Sequence, residues 1–206
     1  MSHSENACTR RDFFQSLFKE LASTAGTFAT SLGDAVALAK GAAGTKARPP
    51  LKPFVRPPGA VAEGKFLELC TLCDDCVKAC PEWVVRKTGP EFGKLLEGYP
   101  VILPAENPCI FCKGLPCVTA CKTGALVPPA AGAPVRIGLA VVDSARCSMG
   151  QGRPCDHCVG ECPVGSKAIS LIALGLCAGV NADLCTGCGE CARICPVGAI
   201  SIEALR

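Results

Sequence analysis

The placement of the cysteines limits what this chain can fold into more than any other feature. Of 18 cysteines in 206 residues, sixteen fall into four sets of four: Cys70, Cys73, Cys76, Cys80; Cys109, Cys112, Cys117, Cys121; Cys147, Cys155, Cys158, Cys162; and Cys185, Cys188, Cys191, Cys195. Only Cys8 and Cys177 stand outside. The sets begin 38 to 39 residues apart, the mark of an internal repeat. Cysteine at close to 9% with 5% aromatic residues suggests either a disulfide scaffold or a metal protein. Four thiols within eleven residues, as from Cys70 to Cys80, would mispair or strain as disulfides, so complete quartets argue for metal centres.

Spacing narrows the metal. The first set, "CTLCDDCVKACP", follows C-x2-C-x2-C-x3-C-P, in which three thiolates on a tight loop wrap one iron–sulfur cube and the fourth ligates a neighbouring cube. The fourth set, "CTGCGECARICP", repeats it, with glycines where backbone must come close to the cluster. The second widens one gap to four residues and carries Lys122 where proline would sit; the third widens its first gap to seven. All keep the closing C-x3-C. Zinc sites built from cysteine use separated C-x2-C knuckles instead. Four 4Fe–4S clusters held by all sixteen cysteines are therefore expected, with a degraded or 3Fe–4S site the alternative for the second or third set.

Short apolar runs follow each set ("EWVVRK", "GALV", "AISLI", "AISIEAL"), and strand-like segments lead into the second and third ("GYPVILPAENPC", "IGLAVVDSARC"). The expected fold is α+β: a duplicated bacterial-ferredoxin-like arrangement of short helices and hairpins around clusters over residues 61–206, used four times, without a conventional core. A chain organised this way is expected to be largely unfolded without iron. Before it, residues 44–60 contain five prolines and read as an extended arm. Residues 11–40 place Phe14, Leu17, Phe18, Leu21, Ala25 and Phe28 at helical spacing opposite a polar face.

Residues 1–43 therefore read as an amphipathic helix or a signal-like segment. "TRRDFF" looks like a twin-arginine export signal, although the stretch after it is half Ser, Thr and Gly. Periplasmic location by that route is favoured; the alternative is a cytoplasmic protein attached to a membrane surface or a partner through residues 11–40. Residues 1–66 hold nine Lys/Arg against five Asp/Glu, while thiolate-held clusters would make the remainder acidic. That polarity suits docking to a protein or an anionic surface. The basic residues are scattered and not interleaved with aromatics, which argues against nucleic acid.

No side chain reads as catalytic, and no small-molecule substrate is implied. His157, between Cys155 and Cys158, is expected at a cluster's solvent edge rather than as a ligand, and His3 lies in a tail. Trp83 and Tyr99 are expected to pack over the first hairpin. Cys8 and Cys177 are expected to be thiols outside the clusters, with Cys177 buried in the apolar run "LIALGLCAGV".

Over roughly residues 56–200 the chain resembles the accessory polyferredoxins of periplasmic nitrate reductase and methylamine utilisation, the NapG/MauM type. The likeness rests on "RPPGA" before the first set, the C-x2-C-x4-C-x3-C second set, "GLAV" leading into the third, and the closing "CTGCGEC". It implies four 4Fe–4S clusters, twin-arginine export, and electron transfer between a quinol-oxidising membrane donor and a terminal reductase. A related NapF type implies an alternative: a maturation factor for a molybdenum or tungsten oxidoreductase. A third reading is a redox-sensing interaction protein with a labile cluster at the second set. Resemblance to four-cluster oxidoreductase subunits implies nested pairing, with Cys195 completing the Cys70/Cys73/Cys76 cluster and Cys80 the Cys185/Cys188/Cys191 cluster. Cys162 then joins Cys109/Cys112/Cys117, and Cys121 joins Cys147/Cys155/Cys158. Sequential pairing of neighbouring sets is the alternative.

Overall fold

A computed structural model of the protein describes residues 54–172 and 177–205. The amphipathic or export segment over residues 1–43, the start of the arm, and Cys8 lie outside the described residues. Among those described, no helix is long and apolar enough to cross a membrane.

The motif "RPPGA" is not part of a free arm. Val55, Arg56, Pro57 and Pro58 are buried, and the segment runs extended between two neighbours. On one side the Ile102 amide donates to the Val55 carbonyl at 2.8 Å; on the other, Val127 donates to Gly59 at 2.7 Å. Gly59 is required there: its φ is +75°, and a Cβ would stand 2.2 Å from the Val127 carbonyl oxygen. The boundary expected near residue 61 thus moves toward the amino terminus, because this proline pair fills the interior.

Helix α1, Glu63–Leu69, follows, with Glu63 in its first turn and Phe66 fully buried beneath it. Burying such a ring contributes about 2–3 kcal/mol. Arg56 ties the strap to this helix. Its guanidinium meets the Glu63 carboxylate through two nitrogens (Nε–Oε2 3.1 Å, Nη2–Oε1 2.6 Å) and donates to the Pro100 carbonyl at 2.7 Å. It also lies over the rings of Phe54, Phe66 and Tyr99 at 5.5, 4.8 and 5.8 Å.

The remaining elements are short. Helix α2 is Asp75–Lys78, α3 Pro116–Thr119, α4 His157–Gly160 and α5 Glu190–Ile194. Strands β1, Val85–Lys87, and β2, Pro100–Ile102, form an antiparallel hairpin with Val85 opposite Ile102. Strand β3, Gly138–Val142, pairs with β6, Ile200–Ala204, and β4, Ile169–Ile172, pairs with β5, Cys177–Val180. The expected four-fold use of one hairpin is therefore corrected. "GALV" forms no strand, only a bridge from Leu126 back to Ala60, and the approach to the third set pairs with the tail of the fourth.

A conventional core is also present, contrary to expectation. One apolar cluster gathers Val55, Phe66, Val84, Val85, Ile102, Val118, Leu126 and Ile137; a second gathers Ala140, Ile169, Ala178, Ala192 and Ile200. Each is interleaved with cysteines from two sets. Tyr99 packs beside Phe66 and donates its hydroxyl to the Leu67 carbonyl, as expected of a packing residue. Trp83 does not pack: it is 72% exposed with φ +54°, because the turn after Pro81 aims the ring outward. Cys177 is buried in β5, as its apolar run predicts.

Candidate metal centres

The C-x2-C loops of the first, second and fourth sets take a left-handed backbone where they round their thiols. Leu72 and Asp74 in the first set, Phe111 and Leu115 in the second, and Gly187 and Gly189 in the fourth all have positive φ. In the first two, the turned backbone presents the Leu72 amide to Cys70 and the Phe111 amide to Cys109. Asp74, Leu115 and Gly189 then cap the helix that carries the next cysteines. Left-handed leucine and phenylalanine cost on the order of 1–3 kcal/mol each, and the loop holds them where amides must face sulfur.

The sixteen thiols gather into four quartets, none in a disulfide. Site A is a recess lined by Cys70, Cys73, Cys76 and Cys121. Site B is lined by Cys109, Cys112, Cys117 and Cys80. Site C takes Cys147, Cys155, Cys158 and Cys195, and site D takes Cys185, Cys188, Cys191 and Cys162. Every quartet has three thiols from one set and the closing cysteine of its neighbour. The nested pairing is thus overturned in favour of sequential pairing. The physical reason is packing: α2 lies against α3 and α4 against α5, so each short helix delivers its final cysteine to the adjacent loop.

Each recess opens to solvent and is walled by the four thiols of its quartet. Among the described residues no three His, Cys, Asp or Glu side chains close to single-ion spacing. A tetrahedral zinc needs all four sulfurs about 2.3 Å from one point. Thiols standing around a wider recess fit a polynuclear iron–sulfur group, with cysteine as its sole ligand type.

Electrostatics agree with a site built to be filled. Burial, and after it the neighbouring sulfurs of Cys70, Cys117, Cys121 and Cys73, push Cys76 up to about 12. Burial and then Cys188, Cys185, Cys158 and Cys162 do the same to Cys191. Cys109, Cys117 and Cys158 are driven to about 11, burial again leading. Four thiolates cannot coexist in such a recess without cationic metal to neutralise them.

The sites are also linked. Cys76 of site A feels Cys117 of site B, and Cys191 of site D feels Cys158 of site C. Sites B and D meet where the Cys109 amide donates to the Cys188 carbonyl at 2.9 Å, with Pro104 pressed on Gly189. Spatially the order is A–B–D–C. The lead-in to β3 clasps site D as well: Ile137 donates to Thr186, Arg136 Nε to the Cys185 carbonyl at 3.0 Å, and Ala140 to the Cys185 sulfur at 3.5 Å. Site C is completed by Met149, whose sulfur accepts from the Cys155 amide at 2.9 Å, and by exposed His157 at its rim, as expected. Sequence reasoning missed Met149; its place in the seven-residue gap was the only signal.

Comparison with known proteins agrees with this geometry. A 4Fe–4S dicluster domain matches residues 69–126, the span of the first two sets, and a 4Fe–4S binding domain matches residues 175–201. The protein is thus an iron–sulfur protein of ferredoxin type with an electron-transfer role. It is 36% identical over 162 residues to the ferredoxin-type protein NapG of Escherichia coli (strain K12), covering 73% of this chain and 70% of that protein. To the methylamine utilization ferredoxin-type protein MauM of Paracoccus denitrificans (strain Pd 1222) it is 35% identical over 164 residues, with 73% and 70% covered. The ferredoxin-type protein NapF of E. coli (strain K12) is 31% identical over 156 residues, covering 73% and 85%. The chain belongs to the NapG/MauM family of ferredoxin-type proteins.

Proposed function

We propose that the protein carries four 4Fe–4S clusters, one in each thiol quartet, and relays single electrons between two redox partners without an active site of its own. The observation that carries this reading is the unbroken series A–B–D–C: packed helices join A to B and D to C, and a backbone hydrogen bond joins B to D. Each cluster, when bound, stores one electron; the protein tunes that storage through burial, amide–sulfur hydrogen bonds and charge. A wire of this kind has two ends, and partners dock at sites A and C.

The donor in this reading is a quinol-oxidising membrane protein and the acceptor a terminal oxidoreductase, of the kinds served in nitrate reduction or methylamine use. The cluster domain, which takes in the buried strap from Val55 onward, consists of two related halves, and Arg10–Arg11 direct export to the periplasm. Anaerobically purified protein should contain about sixteen iron atoms per chain. After reduction it should re-oxidise rapidly when mixed with its reductase. Four or fewer irons with stoichiometric zinc would refute the cluster assignment. Binding to an immature enzyme only, with turnover unaffected, would instead make the protein a maturation factor.

A further inference from the structure

Among the four closing cysteines, Cys121 has different surroundings. After Cys80, Cys162 and Cys195 comes proline and then Glu82, Val164 or Val197; after Cys121 come Lys122 and Thr123. The Thr123 hydroxyl lies 3.6 Å from the Cys121 sulfur. Its oxygen also accepts from the Ala125 amide at 3.4 Å. A ligating thiolate carries no proton, so between these two groups the hydroxyl would be the donor. The Leu126 amide donates to the same sulfur at 3.4 Å. In site B the sulfurs of Cys109, Cys112 and Cys117 face backbone amides and no hydroxyl. Site D has the one comparable contact among the described residues, Thr186 beside Cys188.

We infer that Thr123 is a positioning residue that sets the reduction potential of site A above that of site B, its neighbour in the pair. This rests on the electron-relay reading and assigns a slope to one step of it. A hydrogen bond to a ligating sulfur withdraws negative charge and so stabilises the reduced, more anionic cluster. One electron leaves the reduced cluster in B and reduces the cluster in A; no bond forms or breaks. One further feature acts in the same direction: Cys73 is exposed to water, which solvates the added charge. The nearby carboxylates oppose this little, since Asp74 is paired with Lys87 at 2.9 Å and Asp75 faces Lys122 at 4.0 Å. Within the A–B pair the electron consequently rests at A.

The test is a potentiometric titration followed by EPR on anaerobically purified, full-length protein. Thr123→Val and Thr123→Ala are expected to lower one midpoint potential, that of the signal perturbed by Cys73→Ser, and to leave the other three unmoved. Thr123→Ser should hold the wild-type value. Iron content and circular dichroism, measured in parallel, separate tuning from loss of fold. Four unmoved midpoints in both hydroxyl-free variants would overturn the inference while leaving the relay intact. So would a shift confined to a signal insensitive to Cys73→Ser, or a wild-type site A that reduces after site B. A chain that holds no clusters would overturn the relay reading and this one with it.

Discussion

Arg56 shows how much one side chain can organise. It is 5% exposed, yet it satisfies Glu63, the Pro100 carbonyl and three aromatic faces at once. Removing one partner of a largely buried ion pair costs about 3–5 kcal/mol, because the other is left without compensation. Glu63 keeps a third of its side chain in water, which argues for the lower end. Arg56→Ala is expected to destabilise the cluster-loaded protein by about 3 kcal/mol in a denaturant titration, and Glu63→Gln by less. Trp83 is the converse case. Its ring is exposed, so Trp83→Ala should change stability by no more than about 0.5 kcal/mol in the same titration. A large loss there would mean that the ring packs after all. Composition could not separate these two residues: a tryptophan beside a hairpin ordinarily packs, and only the positive φ at the turn sends this one outward.

At the scale of elements, the ligand identities were legible in the sequence and their partners were not. Spacing names the loops, because three thiols within seven to twelve residues wrap one object. It does not say which loop receives a closing cysteine, since that depends on which short helices pack together. The hairpin β1–β2 brings the first set beside the second, and α2 against α3 completes the exchange. The third and fourth sets are drawn together by β3 pairing with β6, across almost sixty residues, a contact no local pattern announces. Pairing has a direct spectroscopic consequence. Cys80→Ser and Cys112→Ser are expected to perturb the same EPR signal, that of site B, whereas Cys188→Ser perturbs another. Coincidence of the Cys80 and Cys188 effects would restore the nested arrangement. The seam between sites B and D is equally specific. Gly189 has φ +102°, and a Cβ there would stand 2.4 Å from the Pro104 side chain and 2.6 Å from its carbonyl oxygen. Gly189→Ala should cost on the order of 1–3 kcal/mol in backbone strain. It should also weaken the magnetic coupling between the two central clusters, read by EPR.

For the whole molecule, the sulfurs make stability depend on whether metal is present and on pH. In the iron-free fold five thiols sit well above their ordinary value of 9.0: Cys76 and Cys191 at about 12, Cys109, Cys117 and Cys158 at about 11, each raised first by burial. In the unfolded chain they titrate near 9.0. Below that value both states are protonated and the fold keeps whatever stability its two apolar clusters supply. Above it the unfolded state sheds protons that the folded state retains, so linkage drains stability as pH climbs from about 9 toward 12. Iron reverses the sign of the demand. A bound cluster requires thiolates, so loading releases protons and the fold no longer resists their loss. Iron-stripped protein under reducing, anaerobic conditions is therefore expected to lose its remaining circular dichroism between about pH 9 and 12. The loaded protein should keep its signal through the same titration, and reconstitution near neutral pH should acidify a weakly buffered solution. An iron-free chain that grew more stable with alkali would show that the thiols do not stand crowded in the recesses described above, and the quartets would have to be redrawn.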